Sequence, residues 1–384
     1  MRRAVVLSVV LSLLALPATA AWEEGVAAFK KGDFQTAQAE FKELVDQAPE
    51  GWQGHYMLAL TLQRLKQRDA ALEHLRRAYD LNPNEASVKS ELGRAYYTNK
   101  RYAEAAKILN SVDPSSMPAN QRSGFYQIRG DALLRAGNTD AAAADLSKLA
   151  KLEPNNSDVQ FKYGVVALRA GDTEAAILAL DRAVRADASD LDKKKAYAQA
   201  LIKKARTTRD KTVKKTSYLK AAELAAGVVA GNGSAENLML QLSAQLGAGQ
   251  YAEAAATGEE AMKKSPRDWL AAYYTGQAYT SAGIFEKAEA PLRKALELAS
   301  ASDQQKVWKQ LGYTFEKQKA YAESIQAYQN AGDSSGVARV KKNEETARYN
   351  QQVEAENEQI RAMQEEAERL EEELKKLEEG GGGR

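Results

Sequence analysis

Residues 92–106 read LGRAYYTNKRYAEAA, and residues 275–290 read TGQAYTSAGIFEKAEA. Both run Gly, two residues, Tyr, five residues, an aromatic, two residues, Ala. These are Gly93, Tyr96, Tyr102 and Ala105 in the first stretch and Gly276, Tyr279, Phe285 and Ala288 in the second. The order recurs with one period. Pro49 and Pro83 lie 34 apart, as do Ala37 and Ala71, Gly130 and Gly164, and Gly137 and Gly171. Inside each period the spacing is helical. Gly ends a first helix in a left-handed turn, and Pro stops a second because it cannot continue one. A pair of short helices cannot bury its own apolar stripe, so each pair must stack on the next. The spacing therefore predicts an all-α chain built of repeated bricks.

This pattern resembles the tetratricopeptide repeat (TPR), a 34-residue helix–turn–helix with small, aromatic, Gly, Ala and Pro residues at fixed places. The first unit carries Gly25, Gly32, Phe34, Ala37 and Pro49, and the second carries Ala59, Ala71, Ala78 and Pro83. The third holds the first quoted stretch; the fourth has Gly130, Gly137, Ala142 and Pro154, and the fifth Gly164, Gly171, Ala176 and Ala183. The seventh has Gly249, Tyr251, Ala254, Ala261 and Pro266. The eighth holds the second quoted stretch, and the ninth has Trp308, Leu311, Gly312, Phe315 and Tyr321. The sixth unit, 191–234, is longer and lacks the turn Gly; it reads as two helices joined near Thr207 to Lys211. The resemblance implies a right-handed TPR superhelix, an α-solenoid of about nine helix pairs over 21–333. It also implies a non-catalytic scaffold whose concave surface, lined by first helices, binds a protein partner. One subfamily, the co-chaperone carboxylate clamp, places Lys, Asn and Arg across three consecutive units; no three units here do so, and cytosolic chaperone tails are not expected partners.

The chain opens with Arg2 and Arg3, the apolar run AVVLSVVLSLLAL and Ala18-Thr19-Ala20, the pattern of a signal peptide over 1–20. The run is shorter than the ~20 residues that span a bilayer, and no other segment is apolar enough. With no Cys in the sequence, a lipobox, disulfides and thiol chemistry are excluded. Removing Arg2 and Arg3 leaves 52 basic residues against 52 acidic ones, so the mature chain has no net charge to draw it to nucleic acid. The expected location is the periplasm. His55 and His74, 19 apart, read as packing histidines and not as a metal pair. No G-x-S-x-G, H-E-x-x-H or P-loop is present, and an enzyme, a cofactor and a metal are not expected.

Two basic features remain. From Lys193 to Lys220 the chain holds Lys193, Lys194, Lys195, Lys203, Lys204, Arg206, Arg209, Lys211, Lys214, Lys215 and Lys220 against Asp210 alone. This reads as a patch for an anionic partner, either an acidic protein segment or an envelope polymer or membrane surface, or else as a solvated helix face. Stacking aromatics are sparse there, so nucleic acid is not expected. A second series, Lys30, Arg64, Arg135, Arg169, Lys203 and Lys317, falls near the ends of first helices. Cations there complement the helix dipole; they also stand where they could border a groove for an acidic or extended segment.

After Asp333 the repeat stops. Val353, Ile360, Ala367 and Leu374 are seven apart, and so are Glu356, Met363, Leu370 and Leu377, offset by three. These are a and d positions of a coiled coil within a charged helix at 334–379, with a Gly-rich end at 380–384. From Lys341 onward 8 basic residues face 13 acidic ones. The seam implies a homo-oligomer, or docking on a partner helix, that is lost when 341–384 are removed; the alternative is a solitary helix held by Glu–Lys pairs such as Glu371–Lys375.

Overall fold

A computed structural model describes residues 20–380, the last three by backbone alone. The expected signal peptide and the Gly-rich end fall almost wholly outside the described residues. The described chain is helical throughout and forms nine consecutive helix pairs and one long last helix. It divides into two compact units at residues 200 and 201.

The first unit holds α1 (20–31) with α2 (Phe34–Gln47), α3 (Trp52–Arg64) with α4 (Arg68–Leu81), and α5 (Ala86–Thr98) with α6 (Tyr102–Asn110). It continues with α7 (Ala119–Arg135) and α8 (Thr139–Leu152), α9 (Ser157–Arg169) and α10 (Thr173–Ala186), and the start of α11 (Leu191–Thr207). The second holds the rest of α11, then α12 (Lys211–Gly231), α13 (Ala235–Ala248), α14 (Tyr251–Lys264), α15 (Trp269–Ser281), α16 (Phe285–Leu298), α17 (Ala301–Lys317), α18 (Tyr321–Asn330) and α19 (Ser334–Gly380).

The small residues of the sequence pattern are sockets. A Cβ at Gly25 would lie 2.7 Å from the Phe41 ring, at Gly164 2.6 Å from Leu180 Cγ, and at Gly312 3.0 Å from the Tyr328 ring. In each case the intruding side chain is 16 residues later, on the second helix of the same pair. Phe41, Leu180 and Tyr328 are buried there, so the missing Cβ lets the two backbones close on a large side chain.

The link between the helices of a pair has one geometry and two chemistries. Gly32, Gly137, Gly171, Gly249 and Gly283 sit at positive φ; so do Lys66, Lys100 and Lys319 at the same place in their pairs, with φ of 62°, 60° and 61°. The closing hydrogen bonds match. Gly137 N donates to Leu134 O at 3.1 Å and Asn138 N to Leu133 O at 2.9 Å; Lys66 N donates to Gln63 O at 3.1 Å and Gln67 N to Leu62 O at 2.9 Å. The backbone requirement is thus stricter than the Gly signature, and three lysines meet it at a cost.

Between α6 and α7 the connection lengthens to take in a 3-10 turn at Pro114–Ser116. Arg129 of α7 reaches back to the end of α6, ahead of that turn. Its Nη1 donates to Leu109 O (3.3 Å) and Val112 O (3.4 Å), while Nε and Nη2 grip both carboxylate oxygens of Asp145 in α8 at 2.6 and 2.7 Å. The guanidinium lies over Phe125, 4.8 Å from the ring centroid. One buried cation thereby fixes α7, α8 and the end of α6 together.

α19 is a single helix of 47 residues, about 70 Å at 1.5 Å per residue. Its first turns pack: Val340 is buried, and Arg339 donates to Glu316 of α17 at 2.9 Å. Glu316 also accepts from Tyr328 Oη and Asn343 Nδ2. The Arg339 hydrogen bond, more than the opposing effect of burial, holds the Glu316 carboxyl below its ordinary value.

Candidate partner-binding site

In the first unit the first helices of three successive pairs frame a cleft of about 700 Å³. Tyr56 comes from α3; Ser87, Ser90, Glu91 and Arg94 from α5; Gln121, Gly124, Phe125 and Ile128 from α7. The α5 and α7 sets are each spaced i, i+3, i+4, i+7, one face of a helix. Each α7 residue is the α5 residue plus 34, and Tyr56 is Ser90 minus 34. The cleft thus shows four repeat positions twice, on α5 and α7, and one of them a third time through Tyr56. Ser116, Met117 and Pro118 of the long connection form its far wall.

Its chemistry is mixed. Phe125, Ile128, Leu109 and Met117 give an apolar floor, and Asn120, Gln121, Ser87 and Ser90 give donors and acceptors. The charged lining is Glu85, Glu91 and Arg94. Glu85 caps α5, accepting from Ser87 N and Oγ. Glu91 and Arg94 stand 3.6 Å apart, too far for a strong pair. Burial, and then the Glu91 charge, push the Tyr56 phenol up. Amides and hydroxyls beside an apolar floor suit an extended peptide with one side chain anchored. With two carboxylates against one guanidinium, the lining does not favour an acidic segment.

The cations named from sequence are dispersed. Lys193 is buried, and its Nζ meets Asp158 at 2.9 Å, Asp190 at 3.1 Å and Asp187 at 3.2 Å. Burial alone would lower its pKa, but those three carboxylates together raise it. Lys193 is therefore a bracket between α9 and α11 and not a partner-binding group; the three aspartates that absorb its charge stand outside the basic run. Lys194 and Lys195 are half-buried beside it in the first unit.

In the second unit, Ser217 and Tyr218 mark where α12 begins to pack, and 211–216 overhang before them. That overhang and the preceding loop expose Arg209, Lys211, Lys214 and Lys215, while Asp210 is occupied capping α12 through Thr212 N and Val213 N. Arg206 donates to Ser243 Oγ at 3.0 Å. Lys203 is exposed and Lys204 half-buried.

The helix-end series does not line the cleft. Arg64 lies 5.9 Å from the Phe34 ring and Arg135 5.0 Å from the Tyr102 ring, each aromatic opening the second helix of the preceding pair. These two arginines staple neighbouring pairs by cation–π contact. Arg169 is exposed in the last turn of α9.

The two histidines meet, though the sequence placed them merely among packing residues. His55 Nδ1 lies 2.9 Å from His74 Nδ1, and His55 Nε2 lies 3.1 Å from Pro49 O. A His55 Nε2–H donating to that carbonyl leaves Nδ1 to accept from His74. Burial lowers the His74 pKa. Among the described residues no group of three or more His, Cys, Asp or Glu could hold a metal, and no helix is long and apolar enough to cross a membrane.

On α19 the seam is bare. Ile360, Met363, Ala367, Leu370, Leu374 and Leu377 are exposed, Leu377 at 73%, and Val353 is partly so.

No curated protein matches the sequence. The solved structures it resembles include YrrB, described as a TPR protein with an unusual peptide-binding site, at 17% identity over 53% of this chain and 97% of that one, with a TM-score of 0.42. MamA from Desulfovibrio magneticus RS-1 is similar at 18% identity over 46% and 94%, with a TM-score of 0.39. The C-terminal part of a TPR repeat-containing protein from Cytophaga hutchinsonii is similar at 14% over 63% and 93%, with a TM-score of 0.46. Likenesses this distant say nothing of function. The family model is firmer: the tetratricopeptide repeat matches residues 23–86, 56–119, 129–190 and 239–305, more than half of the sequence. With the 16-residue sockets and the paired helices, it makes this chain a member of the tetratricopeptide repeat family.

Proposed function

We propose that the protein is an exported, non-catalytic scaffold of the bacterial envelope. It holds an extended segment of a protein partner on its first-helix faces and associates through α19. The observation that carries this reading is the cleft over α3, α5 and α7, where equivalent positions of successive repeats present hydrogen-bonding groups above an apolar floor. Family members generally mediate protein–protein interaction. Export rests on the basic, apolar and A-x-A segments of 1–20. Ala21, the first residue after the expected cleavage point, packs in one core cluster with Phe41, so cleavage there would spare that core.

Gly124 offers a clean test. A Cβ there meets nothing within 4 Å, so a side chain at this position starts out into open space in the cleft. Crosslinked capture from an envelope fraction by the mature chain should yield a defined protein, and Gly124→Tyr should lose it while melting at an unchanged or higher temperature, since Gly is a poor helix residue. Equal capture by both would exclude the cleft as the reader.

A second reading has its own observation: Arg209, Lys211, Lys214 and Lys215 are exposed, while Asp210, their neighbour in sequence, is spent on a cap. In it, the overhang binds an anionic envelope polymer. Such binding should weaken steeply with salt, whereas peptide capture in the cleft should not.

A further inference from the structure

In the proposed function α19 pairs with another helix; which helix, and in which direction, can be inferred only on that reading. The exposed seam is longer than the heptads named from sequence. Tyr349, seven residues before Glu356, is 68% exposed and extends the d row, and Thr346 extends the a row. The base of α19 is fixed before this point, since Gly336 lies where a Cβ would be 2.6 Å from the Tyr328 ring and Val340 is buried. The free helix then presents its stripe from Thr346 to Leu377, about 48 Å long.

We propose that the occupant of this stripe is α19 of a second copy running antiparallel, in the register that sets Val353 against Leu370 of the second copy.

Three features of the stripe select that arrangement. A parallel pair in register would stack each position on itself. Glu356 would face Glu356 in the seam, two carboxylates taken from water with no cation between them. Ala367 would face Ala367 and leave a gap. On the flank, Glu366 at g would face Glu371 at e, a like-charge pair.

Reversing one helix sets each a position against a d position. In the proposed register the layers are Thr346 with Leu377, Tyr349 with Leu374, Val353 with Leu370, Glu356 with Ala367, and Ile360 with Met363, the second of each pair belonging to the second copy. Tyr349, Val353 and Ile360 meet Leu374, Leu370 and Met363, Thr346 meets Leu377 at the outer end, and the seam glutamate meets the smallest residue, which leaves it room to turn outward. Gln352 already holds it towards the helix edge, donating to Glu356 Oε1 at 3.0 Å. The flanks now match g with g and e with e: Gln352 with Glu373, Gln359 with Glu366, Asn350 with Glu371, and Asn357 with Gln364. Amides face carboxylates or amides, and carboxylate faces carboxylate nowhere among them. A shift of one heptad towards the C-terminus brings Glu366 opposite itself; a shift the other way leaves Leu374 and Leu377 uncovered. The acidic bias of the tail, an obstacle to parallel pairing, is thereby accommodated.

The chain has no Cys, so introduced thiols report direction without background. Full-length mature protein carrying Val353→Cys, and separately Leu370→Cys with a mass tag, would be oxidised alone and as an equal mixture. Light scattering should give a dimer. The mixture should form the cross-variant disulfide at least about tenfold more than either variant links to itself, because in the antiparallel pair each thiol lies about 25 Å from its own counterpart, beyond disulfide reach. Leu370→Asp should make the dimer monomeric. Self-linking of each variant within a dimer overturns the antiparallel register and leaves tail pairing standing. A monomeric parent, or a dimer that survives Leu370→Asp, overturns both.

Discussion

Lys193 and Lys214 are the same residue in one basic run, and the structure treats them oppositely. Lys193 is buried among Asp158, Asp187 and Asp190, whereas Lys214 stands in water on the α12 overhang. What separates them is whether the fold brings carboxylates to the ammonium. Arg129 marks the extreme of the first condition: both sides of its guanidinium are committed, to Asp145 and to the Leu109 and Val112 carbonyls at the end of α6. The contrast predicts a graded series. Arg129→Met strands Asp145 in the interior and should cost about 3–5 kcal/mol, read as a loss in denaturant midpoint. It should also loosen the end of α6, whose Leu109 and Val112 carbonyls Arg129 holds, while the cleft wall stays held by Arg122, which donates to Ser115 O and Met117 O, both at 3.1 Å. Adding Asp145→Leu should restore most of the stability but not the hold on the end of α6, since the Leu109 and Val112 carbonyls still lack their donor. An Arg129→Met variant as stable as the parent would show that the buried pair does not hold the fourth repeat.

Lys193→Ala comes next. Its three aspartates keep access to water, so the loss should be smaller, about 2 kcal/mol, and partly relieved by salt. Lys214→Ala should change stability by less than about 0.5 kcal/mol. If the two substitutions were equal, burial would not be what distinguishes them, and the whole run would return to a single exposed patch.

The same contrast explains what could be read in advance. Paired helices were legible because their determinants are local and periodic: Gly164 and Leu180, or Gly312 and Tyr328, repeat one socket at one spacing. The fate of Lys193 was legible only in part: Asp187 and Asp190 stand just ahead of the basic run, but Asp158 lies 35 residues upstream, and a charge count over neighbours in sequence cannot see a neighbour in space. The His55–His74 contact escaped for the same reason. The cleft was written in the 34-residue offset between the α5 and α7 faces, but its closing wall depends on a connection that breaks the period. Residues chosen for charge drew attention to helix ends, where Arg64 and Arg135 turn out to face aromatics of the preceding pair. The periodic part of a repeat gives the fold; the departures from it shape the site.

The turns carry the smallest effect and the sharpest sign. Lys66, Lys100 and Lys319 hold the left-handed conformation that Gly holds elsewhere, with the same pair of closing hydrogen bonds; for Lys100 these run from its N to Tyr97 O at 3.0 Å and from Arg101 N to Tyr96 O at 2.9 Å. A side chain there strains the backbone by about 1–2 kcal/mol, part of which Gly forfeits through the greater freedom of its unfolded chain. Lys100→Gly should therefore raise stability by about 0.5–1 kcal/mol, and Gly137→Ala, at the matching turn of the fourth pair, should lower it by a similar amount. Opposite signs in thermal melts would establish that the turn conformation, and not the residue written there, is what each pair requires. Two losses would mean that the Lys100 side chain makes good its strain through contacts along its stem, and the equivalence of the Lys and Gly turns would fall.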